Sequence, residues 1–295
     1  MEELYMKRAA IAVTLACNLK CRLCVEYAPY SRPLYDFSID GLKKSIDRFF
    51  TIVTHVDKFT FAGGEPLLHP QFVSLIEAAK QYSSQVDTYE IITNGNVPLN
   101  EKLINKLSEL RDKIFILIDN YGPKLSKHVN ELDLLLSDRK IRHSVRNYLK
   151  EDAHCGGWVD FGDLTVKKCT SQSEIEALYA KCAYPSKLNL CFGIVGENIW
   201  PCPVCRKAKE LGIVDEYAEY INLFDSELTI EDQRKKIKNI YQMTHLTTCA
   251  YCNGLCDDSI RFLPAQQLTG EELQAIKAGA RLYSEVQAKM MSCTQ

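Results

Sequence analysis

Five short, apolar, β-rich runs recur between residues 8 and 150, and segments with helical periodicity separate them. Alternation of this kind, with strands buried on both faces, predicts parallel strands joined by right-handed crossovers. A sixth unit is predicted from Leu164–Val166 and a helix over Glu174–Ala180, introduced by Ser171 or Ser173. The predicted strands are Ala9–Leu15, Val56–Phe61, Tyr89–Thr93, Ile114–Asp119 and Ile141–Tyr148. The predicted helices are Asp40–Thr54, a segment whose first turn begins at Pro70, Glu101–Leu110 and Leu125–Leu136.

The pattern changes at about residue 182, where short strand-like pieces are mixed with many cysteines. Lys187–Val195 and Asn198–Pro201 predict a hairpin with Gly196 at its turn. Helical periodicity predicts one helix over Thr229–Met243 and a single terminal helix over Gly270–Met291. The chain therefore divides into an α/β region with a parallel sheet and a smaller cysteine-rich α+β region.

Composition narrows the class of protein. Of 295 residues, 46% are hydrophobic and 25% are charged, as in an ordinary globular protein with a large core. The net charge of −2 leaves no basic surplus for binding nucleic acid or anionic lipid. No apolar run has the length of a membrane helix, and the charged residues before Arg8 exclude a signal peptide at this end. We therefore expect a cytoplasmic protein.

Thirteen cysteines are many for a cytoplasmic chain, and most of them are clustered, which indicates metal or redox chemistry. Directly after the first predicted strand, Cys17, Cys21 and Cys24 have a C-x3-C-x2-C spacing. Three thiolates in one loop suit an iron–sulfur cluster that keeps one iron open, since such clusters normally take four cysteines. Zinc is the alternative, but it needs a fourth ligand and the loop contains no histidine. Three isolated cysteines are interpreted as small buried apolar residues: Cys155, Cys169 and Cys293.

The second predicted strand ends in Ala62-Gly63-Gly64-Glu65-Pro66. Adjacent glycines allow close backbone approach to a ligand, and a neighbouring carboxylate accepts hydrogen bonds from an ammonium group. With the cysteine triplet, this motif resembles the radical S-adenosylmethionine (SAM) superfamily. The resemblance implies a partial (β/α)6 TIM-like barrel over residues 1–181, with a 4Fe–4S cluster on Cys17, Cys21 and Cys24. It implies that Gly63, Gly64 and Glu65 bind SAM, with Glu65 on its α-amine.

In this superfamily the open iron chelates the amino and carboxylate groups of SAM. An electron from the cluster then splits the sulfonium into methionine and a 5′-deoxyadenosyl radical. The resemblance places Thr93, Asn94 and Asp119, at the ends of the third and fourth strands, on the SAM ribose or the substrate. Ordinary turn chemistry is the alternative for Asn94 and Gly95. Leu23 departs from the family pattern, which usually has an aromatic residue there against the adenine.

The C-terminal cysteines resemble the SPASM and twitch extensions of radical SAM enzymes. Cys182 and Cys202 flank the predicted hairpin, and Cys249-x2-Cys252 follows. The resemblance implies an auxiliary 4Fe–4S domain over residues 182–295, with these four cysteines as ligands of one cluster. Cys191 is the alternative to Cys182, and Cys205 and Cys256 are spare candidates. A structural zinc on the same four cysteines and a second auxiliary cluster are the other interpretations.

The resemblance implies an enzyme that abstracts a hydrogen atom, oxidises or epimerises its substrate, and passes one electron to the auxiliary cluster. The first strand begins by about residue 9, which leaves no room for an amino-terminal peptide-recognition domain and favours a small polar metabolite such as a sugar, cyclitol or aminoglycoside-type alcohol. Cys155 is a candidate hydrogen donor, with a passive loop thiol as the alternative. A flavodoxin or ferredoxin is the expected electron donor. The candidate substrate residues, each with a structural or surface role as the alternative, are Tyr121, Arg146, His154, Trp158 and Asp160.

Two other functions remain open at this point. The first is the modification of a ribosomally made peptide by crosslinking, epimerisation or oxidation. The second is a non-enzymatic role as an iron–sulfur electron carrier or redox sensor, which predicts that SAM is not cleaved.

Overall fold

The computed structural model of the protein describes residues 3–31, 37–149, 153–214 and 217–292. One eight-stranded sheet runs through it, in the strand order β5-β4-β3-β2-β1-β7-β8-β9. The first five strands pair in parallel, and each contains most of a predicted strand. Their bounds are β1 (Tyr5–Thr14), β2 (His55–Gly63), β3 (Val86–Thr93), β4 (Ile114–Asn120) and β5 (His143–Asn147).

Four helices connect these strands, and their apolar sides form a core with the sheet. Phe49 is fully buried, with its ring 5.6 Å from that of Phe59 on β2. The second helix begins at Phe72 instead of Pro70, because Pro70 and Gln71 lie in the preceding turn. The helices are α1 (Ile39–Ile52), α2 (Phe72–Lys80), α3 (Glu101–Glu109) and α4 (Val129–Asp138).

The carboxyl ends of the five parallel strands meet at one edge of the sheet, as parallel pairing requires. We call this edge the mouth of the barrel. The cysteine triplet follows β1, the Gly-Gly-Glu motif follows β2, and Asn94 follows β3. Residues far apart in the chain are thereby gathered at the mouth.

The predicted sixth strand is wrong. Leu164–Val166 forms a turn, in which the Asp163 side chain accepts a hydrogen bond from the Thr165 N–H at 2.9 Å. The place beside β1 is taken by β7 (Phe192–Val195), which pairs with it in parallel. Since β7 starts the predicted hairpin, the sheet continues across the expected boundary at residue 181. The helix predicted after the sixth strand is present as α5 (Gln172–Lys181), with a capping box formed by Ser171 and Glu174.

The remaining elements follow β5 along the chain, and β6 and β10 form a separate two-stranded sheet. The terminal helix predicted over Gly270–Met291 is two helices, because the chain breaks at residues 278–282, where Gly279 has a φ of +99°. None of the helices in the described ranges has the length and apolar character needed to cross a bilayer. The elements are β6 (Trp158–Val159), α6 (Ala183–Ser186), β8 (Asn198–Trp200), α7 (Pro203–Glu210), β9 (Ile221–Asn222), α8 (Ile230–Gln242), β10 (Arg261–Phe262), α9 (Gly270–Lys277) and α10 (Tyr283–Ser292).

Candidate active site

Gly63 and Gly64 lie against the backbone that leads into the cysteine triplet. The Gly64 N–H donates to the Thr14 carbonyl at 2.7 Å, and the Glu65 N–H donates to the Ala16 carbonyl at 2.9 Å. A Cβ atom on Gly63 would lie 2.3 Å from the Thr14 oxygen, and one on Gly64 would lie 2.2 Å from the Ala16 oxygen. Gly63 also has a φ of +123°. The glycines therefore make their closest backbone approach to residues 14–16 and fix where the cysteine loop begins.

Glu65 is fully buried and joins the ends of β2 and β3. Its carboxylate accepts hydrogen bonds from the Thr93 hydroxyl at 3.0 Å, the Asn94 N–H at 2.8 Å and the Leu67 N–H at 3.2 Å. Burial raises the pKa of Glu65 to about 7. The three protein donors leave acceptor capacity on the carboxylate. Its contact with the SAM α-amine therefore stays a prediction that this geometry permits.

Two amides hold the cysteine loop in place. Asn94 Nδ2 lies 3.7 Å from the Cys17 sulfur and donates to Asn18 Oδ1 at 2.7 Å. Gln267 Nε2 donates to the Cys21 sulfur at 3.2 Å, and Gln267 Oε1 accepts from the Lys20 N–H at 2.7 Å. A backbone bridge also pairs Cys21 with Gln267. Sequence reasoning missed Gln267, because no local pattern links residues that are 246 positions apart.

The chemistry of the three thiols fits a bound metal cluster. Burial, with a contribution from Cys24, raises the pKa of Cys21 to about 12, and burial raises the pKa of Cys24 to about 11. Thiolates in such a site need a cation beside them, since thiolate is the form that binds metal. A zinc ion with bonds of about 2.3 Å would need sulfurs roughly 3.8 Å apart. Among the described residues, no three cysteine sulfurs lie within 4.8 Å of one another. The donor set therefore suits a cluster of several irons better than a single ion.

Aromatic side chains flank the cysteine loop at the mouth of the barrel. Tyr121 and Trp158 pack on the small apolar cluster that contains Cys21. The Tyr121 ring stacks on Tyr148 at 5.1 Å and meets the edge of Trp158 at 5.6 Å. His154 contacts the other side of this group, with its ring 5.6 Å from that of Tyr148. The structure thus gathers three of the predicted substrate residues and adds Tyr148, which the sequence analysis had only as part of a strand.

Asp119 and Arg146 form an ion pair across the ends of β4 and β5. Arg146 Nε donates to Asp119 Oδ1 at 2.7 Å, and its terminal nitrogen donates to Oδ2 at 2.9 Å. Burial raises the pKa of Asp119, although the Arg146 hydrogen bonds oppose that shift. The guanidinium also lies 5.4 Å from the centre of the Tyr148 ring. Contact between Asp119 and the SAM ribose or substrate stays a prediction.

Other predicted residues lie at the margins of the mouth. Cys155, interpreted from the sequence as a small buried residue, is instead exposed on the loop between β5 and β6, where it has a φ of +55°. Its thiol is close enough to Tyr148 to add to the rise in that residue's pKa, which comes mainly from burial. Leu23 lines a small cavity together with Cys24. Asp160 lies apart from the aromatic group, and its side chain accepts from the Gly162 N–H at 2.8 Å.

The four cysteines predicted as auxiliary ligands line one cavity. The cavity lies between α5, α6, the start of α7 and the 3-10 turn Thr247–Tyr251, and most of its wall is apolar or aromatic. Burial raises the pKa of both Cys249 and Cys252 to about 12. Four thiols in one largely apolar cavity, with Cys252 buried and the other three half-buried, match the donor set of an iron–sulfur cluster. The sulfurs that share this cavity are those of Cys182, Cys202, Cys249 and Cys252.

The alternative cysteines lie elsewhere. Cys191 is not among the described residues that line this cavity, and Cys205 is buried behind Cys202, to whose sulfur its N–H donates at 3.4 Å. Cys169 and Cys256 line a neighbouring, more open cavity. Cys293 lies outside the described residues. The geometry therefore favours the predicted set of four, whose role as ligands stays a prediction.

Comparison with known proteins identifies the first part of the chain. Residues 11–150 match the family model of the radical SAM superfamily. These residues form a radical SAM domain. Proteins of this superfamily use a 4Fe–4S cluster and SAM, so the predicted cofactors of the domain are confirmed at the level of the family.

Curated relatives resemble parts of the chain. An S-adenosylmethionine-dependent nucleotide dehydratase of Selenomonas ruminantium is 33% identical over 137 residues, 45% of this chain and 47% of that protein. A second one, from Lacinutrix mariniflava, is 25% identical over 241 residues, 77% of this chain and 46% of that protein. A GTP 3',8-cyclase of Chlorobaculum tepidum is 39% identical over 85 residues, 29% of this chain and 24% of that protein. The matches thus span less than half the length of each of these relatives.

Two solved structures share the fold. BtrN in complex with AdoMet and 2-DOIA has a TM-score of 0.52 at 16% identity, covering 91% of this chain and 100% of that one. Native anSMEcpe with bound AdoMet and Cp18Cys peptide has a TM-score of 0.50 at 15% identity, covering 88% of this chain and 93% of that one. The predicted α/β fold with a partial TIM-like barrel is confirmed by this likeness.

The glycine contact gives a testable prediction. Gly64→Ala should displace the cysteine loop, because the new Cβ would collide with the Ala16 carbonyl. We expect anaerobically reconstituted Gly64→Ala to lose most of the iron of the first cluster, measured as iron and sulfide per chain. Gly193→Ala is the matched control, since its Cβ would meet no atom within 4 Å among the described residues. Full iron binding by Gly64→Ala would contradict this account of the motif.

Proposed function

We propose that this protein is a radical SAM enzyme that abstracts a hydrogen atom from a small polar substrate and oxidises or epimerises it. The substrate class is a sugar, cyclitol or aminoglycoside-type alcohol. We further propose that residues 182–295 form a twitch- or SPASM-like region with an auxiliary 4Fe–4S cluster. One observation carries this proposal: the cysteine triplet at the mouth of a radical SAM domain is accompanied by a separate cavity that contains four thiols.

Cys17, Cys21 and Cys24 would hold the first cluster. With SAM and one electron from an external donor, it would supply the radical chemistry that removes a hydrogen atom from the substrate. Gln267 donates a hydrogen bond to the Cys21 sulfur, which stabilises its thiolate form. The amide of Asn94 lies close enough to the Cys17 sulfur to do the same.

The chain's own residues also shape the substrate side of the site. Tyr121, Tyr148 and Trp158 supply apolar ring faces next to the cysteine loop. Such faces exclude water and pack against the carbon skeleton of a ligand. The Asp119–Arg146 pair fixes Arg146 beside these rings. A substrate radical next to an oxygen becomes a carbonyl when it loses one electron and one proton, and the four-thiol cavity provides a place for an electron acceptor.

Two other substrate classes, and one function without a substrate, are alternatives. Similarity to proteins named nucleotide dehydratase and GTP 3',8-cyclase favours a nucleotide. A peptide substrate would make the protein a maturase of a ribosomally made precursor. An electron carrier or redox sensor would have no substrate and would not cleave SAM. A flavodoxin or ferredoxin is the proposed electron donor in the enzymatic cases.

Product analysis distinguishes oxidation from epimerisation. Oxidation removes two hydrogens and lowers the product mass accordingly, whereas epimerisation leaves the mass unchanged and incorporates one deuterium from heavy water. If Cys155 is the hydrogen donor, Cys155→Ala should stop epimerisation while 5′-deoxyadenosine still forms. Epimerised product from Cys155→Ala would show that another group returns the hydrogen.

The first cluster is tested by SAM cleavage. Anaerobic protein with SAM and a strong reductant should form 5′-deoxyadenosine, measured by chromatography and mass spectrometry. Cys17→Ala, Cys21→Ala and Cys24→Ala should each abolish this product, because each removes one ligand. Cys191→Ala is the control, since this thiol lies outside both sites. Failure of the unaltered protein to form 5′-deoxyadenosine would leave the electron carrier or redox sensor as the remaining function.

The auxiliary cluster is tested by Cys249→Ala. This variant should lose about half of its iron, because one of two four-iron clusters loses a ligand. It should still cleave SAM, since the first site is intact, but it should not release oxidised product. Unchanged iron content in Cys249→Ala, or zinc bound in place of iron, would contradict the proposed second cluster.

A further inference from the structure

Tyr27 lies between the two cysteine sites. It follows Cys24 by three residues and is 7% exposed. Its ring belongs to the same apolar cluster as Cys252 and Val204, and Cys202 packs against that cluster. Tyr27 also lines the small cavity beside Cys24. This side chain thus borders the loop of the first site and packs in the same apolar cluster as Cys252 of the second.

Helix α7, which begins directly after Cys202, holds this segment in place. The Lys207 ammonium lies 5.7 Å from the centre of the Tyr27 ring and donates to the Tyr30 carbonyl at 3.3 Å. Arg206 donates to the Glu26 carbonyl at 2.7 Å. Both cations are buried. Because these two hydrogen bonds hold the backbone on both sides of Tyr27, they restrict the orientation of its ring.

The hydroxyl of Tyr27 is buried and has no hydrogen-bond partner among the described residues. As a neutral phenol, this group is a hydrogen-bond donor. An unsatisfied buried donor destabilises the folded protein, and such groups in native proteins call for an acceptor. Tyr30, in the same loop, has such an acceptor, because its hydroxyl donates to the Arg22 carbonyl at 2.7 Å.

We propose that the Tyr27 hydroxyl donates a hydrogen bond to a sulfur of the auxiliary cluster held in the four-thiol cavity. Tyr27 is then a positioning residue that tunes the cluster as an electron acceptor. A hydrogen bond to a cluster sulfur favours the reduced state, which carries one more negative charge, and so raises the reduction potential. This inference rests on the auxiliary cluster of the proposed function.

The test compares Tyr27→Phe with unaltered full-length protein, both reconstituted anaerobically. A redox titration followed by electron paramagnetic resonance gives the midpoint potential of the signal that SAM does not alter. We expect Tyr27→Phe to lower that midpoint potential by about 59 mV. For a one-electron couple, this shift corresponds to a tenfold smaller ratio of reduced to oxidised cluster at a fixed potential. Tyr30→Phe is the matched control and should leave the potential unchanged, because its hydroxyl already has a protein acceptor.

The outcomes separate this inference from the proposed function. An unchanged midpoint in Tyr27→Phe, with full iron content, overturns the inference and leaves the auxiliary cluster in place. Equal shifts in both variants overturn it too, because the effect would then belong to the loop as a whole. Loss of auxiliary iron from Tyr27→Phe also contradicts it, since the four cysteines are proposed to hold the cluster. A single cluster in the unaltered protein would instead refute the proposed function.

Discussion

The contact between two backbones at the mouth of the barrel determines the rest of the site. Gly63 and Gly64 can approach residues 14–16 only because they have no side chains, and the resulting hydrogen bonds join the end of β2 to the start of the cysteine loop. Buried Glu65 extends the connection to β3 through Thr93 and Asn94. The cysteine triplet is therefore placed by the strand ends and not by its own short loop.

Strand β1 connects the two cysteine sites. Cys17 follows its carboxyl end, and β7 pairs along its other side. Cys202 comes two residues after β8, which pairs with β7. Since hydrogen-bonded strands in a packed sheet hold a fixed register, the four-thiol cavity has a defined position relative to the mouth of the barrel. Arg206 and Lys207 also donate hydrogen bonds to the backbone of the segment after Cys24, which adds a second connection between the sites.

Sequence reasoning works where a local pattern determines the structure. Alternating periodicities predicted the five parallel strands, and the resemblance to SPASM and twitch extensions predicted the four thiols that share one cavity. Sequence reasoning failed where the structure depends on contacts between segments that are far apart in the chain. Leu164–Val166 has the composition of a strand, but β7 occupies the place beside β1. Gln267 reaches Cys21 across most of the chain, and Tyr27 acquires its place only through the packing of α7.

The central claim is that two separate sets of thiols hold two iron–sulfur clusters, and that the first of these binds SAM. Anomalous diffraction at the iron edge, from crystals of anaerobically reconstituted protein grown with SAM, tests it most directly. The account predicts two four-iron clusters: one on Cys17, Cys21 and Cys24 with SAM on its fourth iron, and one enclosed by the other four cysteines. A single metal ion at the mouth of the barrel, or a cluster there with four protein ligands, would contradict it.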